Sequence, residues 1–185
     1  MPRLIMWNMI TLDGHFQGAE PWSIDWLEYT WGPELEAFSM EQLNAAGRLL
    51  FGRVTYEGMA AHWTRETGQI ADIMNRLPKT VFSRTLARAD WSNTDLVGSD
   101  AAAEVRRLKE YPGDDMFIFG SATLCDGLMA QGLIDELRVG VNPVLLGSGT
   151  PLFRPRPSRL RLELIETRPL SSGCVILRYR PDPGS

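Results

Sequence analysis

Short apolar runs alternate along this chain with stretches of helical spacing. Residues 3 to 11, RLIMWNMIT, are apolar over too short a span for a typical helix and end in LDG, which predicts a buried strand entering a turn. An aromatic loop with Trp22, Trp26 and Trp31 follows. Residues 34 to 46 then place Leu35, Phe38 and Leu43 at near-helical spacing behind acidic residues, which predicts a helix. RLLFG at 48 to 52 reads as a strand and 54 to 61 as a helix, so the rhythm is strand, helix, strand, helix. KTVFS at 79 to 83 is a further strand, DLVG at 95 to 98 a weaker one, and 101 to 110 a helix by residue propensity. MFIFG at 116 to 120 is continuously apolar, as a parallel strand covered on both faces should be. A helix at 122 to 131 and a strand within 136 to 146 complete the series.

Beyond residue 158 the pattern changes. Leu160, Leu162 and Leu164 alternate with Arg161 and Glu163, and Val175, Leu177 and Tyr179 alternate with Ile176 and Arg178, on either side of a Pro- and Gly-containing segment. This predicts an antiparallel hairpin. The expected fold class is therefore α/β, a mostly parallel sheet with helices on both faces and an antiparallel C-terminal hairpin. One domain over 1–181 and a frayed tail at 182–185 are expected, since no repeat or linker interrupts the chain.

Composition narrows the function. Nineteen Lys and Arg against 23 Asp and Glu, a net charge of -4, argue against a nucleic-acid partner. Cys125 and Cys174 are far apart and lack metal-site or redox spacing, which fits a reduced, cytoplasmic chain with no metal. Neither a cleavable signal nor an apolar run of membrane-spanning length is visible.

Ligands of an open α/β sheet gather beyond the carboxyl ends of its strands, so the residues following each strand carry the chemistry. After the second strand, Gly52 permits a tight turn, Arg53 supplies a cation, and Thr55 can cap a helix or bind a phosphate oxygen; alone, this also describes a surface Arg beside a capping Thr. Ser83, Arg84 and Thr85 offer two hydroxyls and a guanidinium suited to the terminal phosphate that separates NADPH from NADH, or form an ordinary polar strand exit. Gly120, Ser121, Ala122 and Thr123 open a helix where free backbone N–H groups can hold a pyrophosphate. No G-x-G-x-x-G is present. Gly147 and Gly149 either free the backbone near this crevice or only shape a turn.

A carboxylate is the natural proton donor for a hydride transfer. Asp25, between Trp22 and Trp26, can act as an acid if apolar walls raise its pKa, or is a plain helix cap. Asp13 of the LDG turn is first a turn former, and its place beside the expected nicotinamide makes it a second candidate. Trp22 and Trp26 can stack on a flat substrate, or belong with Trp31 and Trp63 to a core or interface. His15 and His62 have no partner in sequence.

In order, TLDG, DW, LLFGRVTYEGM, VFSRT, FIFGSATL and DELRVGVNPVLLGSGTPLF resemble the dihydrofolate reductase superfamily, and more closely the stand-alone relatives of the C-terminal reductase domain of the riboflavin-biosynthesis deaminase/reductase. The resemblance covers nearly the whole chain. It implies an NADPH-dependent reductase of a small heterocycle such as a pterin or ribosylaminopyrimidine, or of a carbonyl compound, and a homodimer. It places Arg53 and Thr55 at a phosphate turn, Ser83 and Arg84 at the adenosine phosphate, and Gly120 to Thr123 at the pyrophosphate. Where many relatives have Gly-Gly, this chain has Gly120 and Ser121, whose side chain can crowd the cofactor or bond to it. The zinc-deaminase words H-x-E and P-C-x-x-C are missing. A non-catalytic nucleotide-binding module, or an interaction protein using its tryptophans, remains open beside the reductase.

Overall fold

The strand predicted from the first apolar run lies at the centre of the molecule. β1 (Leu4–Thr11) is buried at every position except Met9, because it has parallel neighbours on both edges and helices over both faces. The computed structural model describes residues 1–156 and 158–182. After β1 come β2 (His15–Gln17), a 3-10 helix (Asp25–Tyr29), α1 (Pro33–Asn44), β3 (Ala46–Gly52), α2 (Arg53–Trp63), α3 (Gln69–Arg76), β4 (Lys79–Phe82) and β5 (Thr94–Val97). The second half contains α4 (Ala101–Glu110), β6 (Asp115–Phe119), α5 (Ala122–Ala130), β7 (Glu136–Asn142), β8 (Thr150–Pro151), β9 (Leu162–Pro169) and β10 (Val175–Pro181).

The eight-stranded sheet has the order β5-β4-β3-β6-β1-β7-β10-β9, and β2 and β8 form a separate antiparallel ribbon. Six strands from β5 to β7 are parallel, and β10 and β9 add antiparallel pairs. Alternate residues of β1 serve opposite cores. Ile5 and Trp7 pack with Phe38 of α1 and Met74 of α3, whereas Leu4 and Met6 pack with Val105 of α4 and Leu128 of α5. The sheet thus carries α1, α2 and α3 on one face and α4 and α5 on the other.

The hairpin is present, but its inward face differs from the expectation. Leu162 and Leu164 are exposed because β9 is the edge strand and pairs only with β10. In β10 the fully buried side chain is Ile176, while Val175, Leu177 and Tyr179 are half-buried. Asp182 donates its backbone N–H to Arg161 O at 2.9 Å, so the expected tail is held at its first residue, and 183–185 lie outside the described residues. Both cysteines are free and buried. Among the described residues no helix is long and apolar enough to cross a membrane.

Candidate active site

Three strand exits converge beyond the carboxyl ends of β3, β4 and β6. Gly120 and Ser121, between β6 and α5, both have left-handed backbone, with φ of 55° at each. Glycine is needed at 120, since a Cβ there would lie 2.9 Å from Thr55 Oγ1 and 3.0 Å from its Cγ2. The turn is held by the Gly120 N–H donating to Asn8 Oδ1 of β1 at 2.7 Å. Ser121 occupies the N-cap of α5 without a side-chain cap bond, leaving the first amides of that helix without a partner among the described residues at its positive end.

The Ser121 hydroxyl faces the neighbouring turn. It accepts the Gly52 N–H at 2.8 Å and shares a hydrogen bond with Thr55 Oγ1 at 2.8 Å. Ser121 thereby joins the β3–α2 turn to the β6–α5 turn, and it engages the Gly52 amide together with the Thr55 hydroxyl, the group expected to cap the helix or meet phosphate. Arg53 is also partly engaged, pairing with Glu57 one helical turn on at 2.9 Å. At the β4 exit, the Ser83 hydroxyl accepts the N–H groups of Thr85 and Leu86 at 3.1 and 2.9 Å and folds the chain back. Arg84 projects from this bend, exposed and without an ion pair among the described residues.

These turns open on one cavity of about 1440 Å³, lined by Gly52, Arg53, Thr55, Ser83, Arg84, Gly120, Ser121, Ala122 and Thr123. Thr85, of the same predicted set, is exposed and outside the lining. Such a volume exceeds the roughly 300–1,000 Å³ of an ordinary single-ligand pocket and has room for two molecules together. Residues 98–102, after β5, form part of the wall that the sequence reading missed. Their one carboxylate, Asp100, caps α4 by accepting the Ala102 and Ala103 N–H groups at 2.8 and 3.4 Å.

Two expectations about carboxylates are corrected by the structure. Asp25 is exposed in the first turn of the 3-10 helix and is not in the cavity wall, so no apolar walls surround it. Asp13 also lies outside the lining. It accepts from the Thr11 hydroxyl at 2.6 Å and from the Leu146 and Gly147 amides, tying the β1 loop to the loop after β7. The Thr11 hydroxyl and these amides hold its pKa far below the usual carboxylate range, which makes it an anion and an anchor, not a proton donor. Gly147 serves this anchor, and neither it nor Gly149 lines the cavity.

The two substrate tryptophans separate as well. Trp22 lines the cavity with a positive φ of 67°, its Nε1–H donating to Val54 O at 3.3 Å and its ring seated on Gly58. A Cβ at Gly58 would fall 1.8 Å from the Trp22 ring, so that contact requires glycine. Trp26 turns into the interior, 2% exposed and outside the lining. The lining contributed by Trp31, α1, the C-terminal half of α2 and α3 is mostly apolar and includes Trp31, Leu35, Met59, Trp63 and Ile70.

A mostly parallel sheet extended by an antiparallel pair, with a cavity across its strand ends, is the dihydrofolate-reductase-like arrangement. The chain belongs to the RibD C-terminal domain family, which it matches over residues 2–176. It is 30% identical to the uncharacterized protein YyaP of Bacillus subtilis over 182 residues, 96% of this chain and 94% of that one. Among solved structures it is similar to a putative riboflavin biosynthesis protein from Shewanella sp. PV-4, with a TM-score of 0.78, 20% identity, and coverage of 97% of this chain and 99% of that one. Dihydrofolate reductase from Enterococcus faecalis, solved with NADP(H), shares the fold at a TM-score of 0.64 and 14% identity, over 97% of this chain and 96% of that one.

Proposed function

We propose that this protein is an NADPH-dependent reductase that delivers a hydride to a small heterocyclic or carbonyl acceptor. One observation carries the reading: the exits of β3, β4 and β6 open on a single cavity large enough for a dinucleotide and a second molecule. The residues present fit the cofactor. The N-terminus of α5 has no side-chain cap and offers its first amides to a pyrophosphate, and Arg84, without an ion pair among the described residues, offers a guanidinium to the extra phosphate of NADPH. Gly120 keeps the backbone low enough for close approach. The NADP(H) held by the Enterococcus faecalis enzyme of the same fold supports the same choice.

When bound, the cofactor supplies the hydride, and the protein supplies its position. Ser121, Gly52 and Thr55 brace the two turns against each other, so the phosphate end is held on rigid backbone. Trp22 closes one side of the cavity over α2. Titration of tryptophan fluorescence tests the reading. NADPH is expected to quench it and to bind at least about tenfold more tightly than NADH. No NADPH binding at millimolar concentration would overturn it.

A further inference from the structure

The cavity is chemically divided. Its charged lining residues, Arg53, Arg84, Asp100 and Arg154, belong to the strand-exit turns and to the segment after β8. Between α1, α2 and α3 the wall is formed by exposed Trp31 and half-buried Met59, Trp63 and Ile70, and it reaches the buried core residues Leu35, Leu43 and Met74. Besides the indole N–H groups of Trp31 and Trp63, the polar side chains of this wall are Ser39 and His62. Ser39 donates its hydroxyl to Leu35 O at 2.8 Å within its own helix, and His62 is exposed and lies beside the Trp63 ring.

Beyond the first turn of α2 this part of the lining holds neither lysine nor arginine, and a phosphate leaving water for it would lose hydration with no ammonium or guanidinium to replace it. The wall also has no carboxylate among the described residues, and its one titratable side chain, His62, is exposed and turned toward the Glu66 carboxylate 4.0 Å away. Reduction of a ring C=N bond needs a proton on nitrogen as the hydride arrives, and a positioned acid provides it. A conjugated carbonyl compound has no such need, because the charge from hydride addition is spread to its oxygen, which water can protonate.

We propose that the acceptor is an uncharged, flat, conjugated carbonyl compound, a quinone or an enone, without a phosphate group. The proposal rests on the NADPH reductase reading for its source of electrons. The acceptor gains a hydride, two electrons and one proton, from the dihydronicotinamide, whose C–H bond breaks to leave oxidised NADP+. Its oxygen takes the second proton from water at the open mouth. The flat apolar body lies against Trp31 and the aliphatic wall, where contact area sets affinity.

Calorimetric titration of NADP+-saturated protein tests this without turnover. 1,4-Naphthoquinone is expected to bind at least about tenfold more tightly than a phosphorylated ribosylaminopyrimidine. Trp31 is exposed, so Trp31→Lys leaves the fold intact; it should weaken naphthoquinone binding about tenfold and leave the NADPH Kd unchanged. Tighter binding of the phosphorylated compound, or a Trp31→Lys variant that binds naphthoquinone as well as the parent, overturns the proposal. The two readings fail separately. If NADPH binds and naphthoquinone does not, the acceptor assignment falls alone. If naphthoquinone binds the protein alone with the same Trp31→Lys loss and NADPH does not bind, the compartment's preference stands and the reductase reading falls.

Discussion

The two ends of the parallel sheet are built from opposite kinds of chemistry. At the carboxyl ends, the backbone bends through left-handed Gly120 and Ser121, helix amides lack a side-chain cap, and Arg84 is unpaired among the described residues. At the amino ends, charged groups are already partnered within the protein. Glu136, 2% exposed at the start of β7, accepts from Arg3, Arg138 and Arg178, and Arg3 also bonds Asp115 at the start of β6. Lys79, fully buried at the start of β4, donates to the carbonyls of Asn75, Leu77 and Ser92 and lies 4.5 Å from the centre of the Trp91 ring. Burial pushes its pKa down to about 8, and the three carbonyls take the place of water around the ammonium. Donors left open can bind a ligand, whereas donors already satisfied hold strands together. Stability and binding should therefore respond to different ends of the same sheet.

The largest break in that comparison comes from Glu136. Glu136→Ala leaves Arg138, itself 6% exposed, and Arg178 without their shared carboxylate, at an expected cost of about 3–5 kcal/mol. Urea unfolding at pH 7 measures it, and the Kd for NADPH of the folded fraction should stay within about twofold of the parent. The pH dependence has a definite sign. Burial alone would raise the Glu136 pKa, but hydrogen bonds from Arg138 and Arg178 outweigh it and hold the carboxyl below its ordinary 4.5. Its contribution is therefore present above 4.5 and lost as acid protonates the unfolded chain first. Melting curves should fall as pH drops below about 4.5, less steeply in Glu136→Gln than in the parent.

A smaller effect, at the other end, sharpens the contrast. Arg84→Ala removes an exposed guanidinium with no protein partner among the described residues, so Tm should move by no more than about 1 °C. NADPH affinity should fall about tenfold and NADH affinity should not change. Equal losses for both cofactors would place the extra phosphate elsewhere.

Both ends were unequally legible in the sequence. The apolar runs within β1 and β6 announced burial on two faces, and the principle that ligands collect at strand exits pointed to the turns at Gly52, Ser83 and Gly120, which line the cavity. Strand order was not readable, because local pattern does not say that β1 sits between β6 and β7. Helix α3 went unread although Ile70, Ile73, Met74 and Leu77 follow the i, i+3, i+4, i+7 spacing of an amphipathic helix. Asp25 was misjudged because adjacent residues of a 3-10 helix face different ways, so burying Trp26 turned Asp25 to solvent. The apolar compartment assembles from four separate elements, and its apolar residues look in sequence like ordinary core.

Ser121 supplies the smallest effect and the closest test of how the carboxyl end works. Its left-handed backbone costs roughly 1 kcal/mol relative to glycine, since a Cβ crowds the carbonyl oxygen. Its hydroxyl returns about the same through bonds to the Gly52 N–H and Thr55 Oγ1, each worth about 0.5–1.5 kcal/mol. Ser121→Gly should therefore change stability by less than about 1 kcal/mol in either direction. It also frees the Gly52 amide and the Thr55 hydroxyl, the two groups that the β3–α2 turn can offer to phosphate. If bracing of the two turns matters more than those added donors, titration with NADPH will show affinity unchanged or reduced by up to about threefold. A clear gain in affinity would mean that the serine withholds ligands from the cofactor, and that the carboxyl end exchanges binding strength for rigidity.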